Sequence, residues 1–360
     1  MAAKKRSFFT TLIFIINWIF ALGLLFSYLA YYIKPTLFAP ISLFALAYPA
    51  LLLANGLFII FWALKVNKKV WLSVLAILLG FLHLSRSYQL NSFKKVHNPN
   101  ESLRVMSFNV RLFNNLRWIE VDDVPEQVEQ LILTEKPDLL FFQEYNENQH
   151  FNAQKLGFKY SSEYKVKGSK KRRMIFSKLP VVASNLVRMP VEGKRTLDFL
   201  KMDVEWNGKV IRLLNIHLAS VGLSKNDYEL LENMEHEERN KVEQGVKKMM
   251  QSSMEAAIYR QIQSEIVAQE IKESPYPVIL CGDFNDAPQS YTYHQIDKLL
   301  EDSFIESGQG WPRTYINGPL PWRIDYIFHS EHFKGSNFKV LNNIELSDHY
   351  PQVVDLEWED

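Results

Sequence analysis

The chain has 360 residues, with 41 Lys and Arg against 40 Asp and Glu, a net charge of +1. That balance excludes a protein whose whole surface is a basic nucleic-acid footprint, though it leaves room for a local basic patch. One cysteine, Cys281, cannot close an internal disulfide, so cysteine usage says nothing of redox compartment.

Hydrophobic residues make up 47% of the chain and concentrate at its start. Phe8 to Ile33 carries no charge and only isolated polar residues such as Thr10, Asn17 and Ser27. Crossing a hydrocarbon core takes about 20 such residues. Ile41 to Leu64 is a second run of this kind. Residues 70–88 form a third, which holds His83 and must let Arg86 snorkel near its end. Lys4, Lys5 and Arg6 would suit a cleaved signal, but the apolar run is too long and no small-x-small site follows. Residues 1–90 are therefore expected to be a membrane segment of three transmembrane helices, 8–33, 41–64 and 70–88.

Orientation follows from Lys and Arg placement. Lys4, Lys5 and Arg6 precede the first run, and Lys65, Lys68 and Lys69 separate the second from the third. Only Lys34 lies between the first and second. Three crossings then put the rest of the chain outside the cytoplasmic membrane. A third run lying in the interface would leave it in the cytoplasm.

Residues 91–102 are polar, include Pro99 and read as a linker. Beyond them, Leu103 to Val110 alternates like a strand, and Val124 to Thr134 has helical spacing. Leu139 to Phe142 is an apolar strand. Met174–Phe176 and Val181–Val182 flank a Ser177–Pro180 turn. Phe199–Trp206 and Val210–His217 read as a hairpin around Asn207-Gly208. Tyr228 to Lys272, without Pro and rich in Glu, Gln, Lys and Met, is helical. A solvated helical hairpin is the expectation there, with a partner-binding helix as the other reading. Val278–Asp283, Ile324–Phe328 and Val353–Trp358 are further strands. This mixture predicts an α/β fold, two packed sheets with helices outside.

Polar residues stand at the ends of these strands: Asn109, Glu144, His217, Asp283 with Asn285, Asp325, and Asp348 with His349. Singly, an Asp or Asn at a strand end is ordinarily a turn former. Their recurrence at one kind of position carries the argument, because strand ends converge on one rim. Carboxylate and amide oxygens suit Mg²⁺, Mn²⁺ or Ca²⁺ rather than zinc. No HExxH, CxxC or Walker-type loop is present.

Six runs occur in order: Met106–Arg111, Gln143-Glu144, Asn215–Leu218, Gly282–Asn285, Arg323–Ile327 and Ser347–Pro351. Together they resemble the motifs of the endonuclease/exonuclease/phosphatase family, over about Leu103 to Glu357. The resemblance implies a DNase-like two-sheet α/β sandwich over residues 103–360 and a Mg²⁺-dependent phosphoric ester hydrolase. It implies that Glu144 is the principal metal ligand, helped by Asn109 and Asp348. It implies that Asp283 activates the attacking water and that Asn285 holds a phosphate oxygen. His217 and His349 would touch the scissile phosphate, with Asp325 orienting His349.

The chain departs from that family at Lys170–Met174, where many members carry small residues. This basic run could grip an additional phosphate or an anionic headgroup, or be a solvated loop. The expected activity is that of a membrane-tethered phosphodiesterase of nuclease type, acting on nucleic acid. The alternatives are a sphingomyelinase-like or other phospholipid-headgroup phosphodiesterase, and a catalytically silent binding module.

Overall fold

Two long apolar helices open the chain. The computed structural model describes residues 8–90, 101–146, 151–165, 172–188, 198–222, 239–318 and 320–359. Helices α1 (Phe8–Leu29) and α2 (Ile41–Leu64), of 22 and 24 residues with mean hydropathy 2.2 and 2.1, are candidate membrane spans. The third apolar run is not one helix. It forms α3 (Val70–Leu79) and α4 (Phe81–Ser85), separated at Gly80. A Cβ on Gly80 would stand 2.0 Å from the Tyr28 ring, so the close approach of α1 demands glycine there. Residues 70–85 together reach about 24 Å at the helical rise.

This bundle is built inside out. Its buried centre holds a polar network: Asn17 Nδ2 donates to Ser73 Oγ (2.6 Å), Ser73 Oγ to Asn55 Oδ1 (2.9 Å) and Trp62 Nε1 to Asn17 Oδ1 (2.9 Å). Its outside is apolar, with Ile15, Ile19, Leu53, Leu57, Ile60 and Leu75 each more than half exposed. Water disfavours such a surface, whereas lipid accommodates it and favours polar bonds between helices.

A two-residue strand, β1 (Gln89–Leu90), follows α4. Beyond the 91–100 stretch, which lies outside the described residues, the chain runs through β2 (Ser102–Asn109), α5 (Val124–Glu135), β3 (Leu139–Tyr145), β4 (Tyr160–Lys165) and β5 (Arg172–Ser177). Next come β6 (Val181–Val187), β7 (Phe199–Trp206), β8 (Lys209–His217), α6 (Arg239–Lys272) and β9 (Val278–Asp283). Helix α7 (Tyr291–Asp297), β10 (Glu301–Asp302), α8 (Ser303–Ser307), β11 (Gln309–Gly310), β12 (Asp325–His329), β13 (Phe333–Val340) and β14 (Gln352–Trp358) complete it.

Two six-stranded sheets result, ordered β13-β14-β2-β3-β5-β4 and β10-β12-β9-β8-β7-β6. Each has one parallel pair at its centre, β2 with β3 and β8 with β9. Parallel neighbours need a crossover, and α5 and α6 lie in the two crossovers. Period-two alternation assigns the faces. Val105, Phe141 and Ile175 meet Met202, Leu213, Cys281 and Ile327 between the sheets. The intervening Met106, Phe108 and Phe142 pack outward with Val128 and Ile132 of α5. Leu214, Ile216 and Leu280 do the same with Val267 and Ile271 of α6. This is the expected two-sheet α/β sandwich.

The hairpin turn has positive φ at both Asn207 and Gly208 (51° and 76°), which matches the right-handed twist of its strands. The expectation for residues 228–272 is corrected where they are described. Residues 239–272 are one continuous helix, and 228–238 lie outside the described residues. Its second half is not solvated: Ala256, Ala257, Ser264, Val267 and Ala268 are buried. Small residues on one face let the helix settle onto the second sheet.

Candidate active site

The C-terminal ends of the two parallel pairs meet across the sandwich. Asn109 and Gln143 are register partners on one sheet, as are His217 and Asp283 on the other. A buried amide pair ties the sheets together. Gln143 Nε2 donates to Asn215 Oδ1 (2.9 Å), and Asn215 Nδ2 donates to the carbonyls of Phe142 (2.9 Å) and Met174 (2.8 Å). Gly282 lets β8 and β9 close up at this end, since a Cβ there would fall 2.0 Å from the Ile216 carbonyl oxygen.

Asp283, 1% exposed, lies at the centre. Its Oδ2 accepts from Asn109 Nδ2 (3.1 Å) and stands 3.5 Å from His217 Nε2 and 3.7 Å from His349 Nε2. Its Oδ1 accepts from the Asn285 backbone N–H (2.8 Å). Burial, and then the charge of Asp325, push the Asp283 carboxyl up to about 7 despite the opposing pull of His349. Oδ2 of Asp325 lies 2.9 Å from Nδ1 of His349. Burial lowers the His349 imidazolium, but the surrounding carboxylates of Asp325, Asp283 and Asp348 more than reverse that, holding it at about 10.

Glu144 Oε1 is 3.9 Å from His217 Nε2. Glu144 sits where the β3–β5 register slips, with φ at +52°, a left-handed conformation costly for a non-glycine residue. Asn285, also at φ +52°, donates from Nδ2 to the Leu218 carbonyl (3.1 Å). Asp348 Oδ1 is 3.9 Å from His349 Nε2, and its Oδ2 forms an ion pair with Arg111. All eight residues picked from strand ends therefore come to one end of the sandwich. One ligand atom from each of Asp283, Asp325 and His349 lies within 4.8 Å of the other two.

Sequence reasoning assigned no role to several supporting residues. Arg111 was in a motif, two residues past Asn109, and that proximity was the available signal. Thr314 Oγ1 accepts from the backbone N–H groups of Ile324 and Asp325 (2.9 and 3.1 Å). Arg260, fully buried on α6, donates to Asp286 Oδ2 (2.9 Å) and to the Ala219 carbonyl (3.0 Å). It thereby links the segments after His217 and after Asn285. Nothing local in the sequence marks Thr314 or Arg260. Of the basic run, Lys170 and Lys171 lie outside the described residues. Arg173 is buried, with Nη2 donating to the His217 carbonyl (3.1 Å), so it is not a solvated loop residue.

A family model described as Endonuclease/Exonuclease/phosphatase family matches residues 106–349. A second, described as Domain of unknown function (DUF8431), matches residues 10–87. No curated protein matches. Among solved structures, the human Nocturnin catalytic domain with bound sulfate anion is similar at TM-score 0.54 and 17% identity, covering 75% of this chain and 97% of that one. The endonuclease/exonuclease/phosphatase from Bacteroides vulgatus is similar at TM-score 0.53 and 20% identity, covering 72% and 99%. D. rerio TDP2 complexed with single strand DNA product is similar at TM-score 0.51 and 18% identity, covering 71% and 99%. At these identities the likeness concerns the fold.

Proposed function

The chain belongs to the endonuclease/exonuclease/phosphatase family, and from that premise we propose that it is a membrane-mounted, divalent-cation-dependent phosphodiesterase. The observation that carries this reading is the position of Asp283, whose Oδ2 faces Asn109, His217 and His349 together.

The donors fit a hard divalent cation. They are carboxylate and amide oxygens, and the only cysteine, Cys281, is buried in the core away from them. The ionisation of Asp283 is opposed by Asp325, a repulsion that a cation relieves. Glu144, Asn109 and Asp348 would hold Mg²⁺, with Mn²⁺ or Ca²⁺ as other occupants; Arg111 engages Oδ2 of Asp348 and leaves Oδ1 as the donor. Bound there, the ion would neutralise charge on the phosphate and leaving oxygens.

The protein's own groups supply the rest. Asp283 takes a proton from water as the water oxygen bonds to phosphorus and the bond to the leaving oxygen breaks. His217 and His349 donate from Nε2 to non-bridging oxygens, and the second Nδ2 proton of Asn285 does the same. Asp325 keeps His349 charged and its ring oriented.

Contacts at the ends of the bundle support one reading of the side of the membrane. Between α1 and α2, Lys34 pairs with Glu265 (2.9 Å) and the Thr36 N–H donates to Gln261 Oε1 (2.9 Å). Just after α4, Arg86 pairs with Asp297 (2.9 Å). Both points touch the sandwich, so it lies beyond the α1–α2 end. Lys69, over the Phe14 ring at 4.4 Å, marks the opposite, Lys-rich end. The excess of Lys and Arg at that end supports a cytoplasmic location for it and an extracytoplasmic catalytic domain.

The substrate class is a nucleic acid or a phospholipid headgroup. Docking of the site-flanking residues Gln289 and Trp322 on the bundle favours the second, since it holds the site near the bilayer. The test uses the full chain in lipid nanodiscs, with Mg²⁺ or with chelator, against plasmid DNA, single-stranded RNA and sphingomyelin-containing vesicles. Asp283→Asn and His349→Ala are run alongside. Metal-dependent turnover lost in both variants supports the reading and identifies the substrate. Turnover that survives either substitution overturns the roles of Asp283 and His349, and no turnover on any substrate points to a silent binding module.

A further inference from the structure

A tether needs only to be long, yet this bundle is bonded to the sandwich at buried, specific points. Gln289, 1% exposed, donates from Nε2 to the His83 carbonyl (3.2 Å) and to Ser87 Oγ (2.8 Å). Trp322 Nε1 donates to the Leu46 carbonyl at the start of α2 (2.9 Å). Arg323, 3% exposed, bridges from Asp302 Oδ2 (2.6 Å, through Nη1) to the Arg86 carbonyl (2.9 Å, through Nη2). Arg86 itself donates from Nε and Nη2 to Asp297 Oδ2 (3.1 and 2.9 Å), and Tyr31 O–H donates to the same oxygen.

Two of these points belong to the segments that carry the site. Gln289 closes the loop that begins at Asn285 and is pinned between them by Arg260 on Asp286. Arg323 and Trp322 immediately precede Ile324 and Asp325, whose N–H groups both bind Thr314 Oγ1. The next residue, Tyr315, pairs with His349 across an isolated bridge, with ring centroids 5.2 Å apart. A path of direct bonds therefore runs from α4 and α2 to Asn285, Asp325 and His349. Parting the bundle from Arg323 would leave its buried Nη2 without the Arg86 carbonyl while the Asp302 pair stays, a cost that opposes local opening.

We infer that the apolar bundle is a positioning part of the catalytic site: through Gln289, Trp322 and Arg323 it holds the loops that present Asn285, Asp325 and His349 to the phosphoester. The activity arm of its test rests on the proposed phosphodiesterase reading; the structural arm does not.

The experiment keeps the full chain in lipid nanodiscs and breaks the latch outside the site. Arg86→Asp and Asp297→Arg are made singly and together, with Tyr31→Phe as a milder variant should the single reversals fail to fold. Hydrogen exchange is read over residues 284–290 and 311–325, and turnover on the substrate found for the parent chain. The single reversals should speed exchange in both segments about tenfold or more and lower kcat by about tenfold, with KM nearly unchanged. The double reversal should restore both. Tyr31→Phe should move both in the same direction by a smaller amount. Unchanged exchange in these segments, or faster exchange with unchanged kcat, would overturn the inference. If the parent chain turns nothing over, the exchange arm still decides whether the bundle holds the loops, and the loss falls on the proposed activity.

Discussion

Asp325 and His349 form a buried pair, Oδ2 to Nδ1 at 2.9 Å, with the His349 ring held protonated to about pH 10. The neighbouring carboxyl of Asp283 is raised as well, by burial and then by the charge of Asp325, to about 7. A base that must lose its proton and a donor that must keep one define a working window, whose acid edge a bound cation should move below the metal-free value of Asp283. Asp325→Asn removes a carboxylate that keeps His349 charged. We expect kcat to fall by about 10² and the alkaline limb of the pH–rate profile to move toward neutrality, measured under saturating Mg²⁺.

The same two shifts set how stability changes with pH when the metal is chelated. Both folded values lie above the ordinary ones of 3.8 for Asp283 and 6.5 for His349, so each group favours the folded state in its protonated form. The contribution of Asp283 is complete below its ordinary value and is lost as pH rises through about 7. That of His349 is complete below 6.5 and is lost as pH rises through about 10. Thermal unfolding in chelator should therefore show Tm falling from mildly acid to alkaline pH. Divalent cation binds the ionised carboxylates, so the Tm gain on adding Mg²⁺ should grow over the same range. Asp283→Asn should flatten the portion near neutrality.

Gly282→Ala should damage the protein out of proportion to one methyl group. The new Cβ would meet the Ile216 carbonyl oxygen at 2.0 Å, and backbone cannot yield as a flexible side chain does. We expect a loss of about 3 kcal/mol by denaturant unfolding, together with lower activity, because β8 and β9 set the His217–Asp283 separation.

Asn215→Leu tests the tie between the sheets. The change leaves the buried carbonyls of Phe142 and Met174, and the Gln143 amide, without their partner. The expected cost is about 2–4 kcal/mol, read from thermal or denaturant midpoints. A double variant with Gln143→Leu should cost less than the sum of the two single changes.

Topology has a direct check. An accessibility tag in the Lys65–Lys69 turn and another at the C-terminus should lie on opposite faces of the membrane, since the first is at the far end of the bundle from the sandwich. Tags protected on the same face would return the catalytic domain to the cytoplasm.

Much of the architecture was legible locally. A strand core such as Leu139–Phe142 shows its end because the apolar run gives way to Gln143-Glu144, although burial continues through Gln143 and Tyr145. The Asn207-Gly208 turn was readable because few residues accept positive φ twice in succession. Strands β4 and β13 were not readable. They are the two edges of the first sheet, and Tyr160–Lys165 and Phe333–Val340 carry the Ser, Lys and Gly residues that edges tolerate. The close approach of the Tyr28 ring to Gly80 was likewise hidden, because that ring stands on another helix.

The sequence by itself determined the kinds of groups available and the strand ends on which they stand, because alternation and end polarity are properties of a few adjacent residues. It also determined the apolar runs, since the length needed to cross lipid is a local count. Tertiary structure alone decided that Asp283 would meet Asn109, 174 residues away in the chain, and that Arg111 would engage Asp348. It alone seated Arg323 between Asp302 and the Arg86 carbonyl. Such pairings depend on which surfaces close on one another, and the burial that drives closure is shared across the whole core rather than written beside either partner.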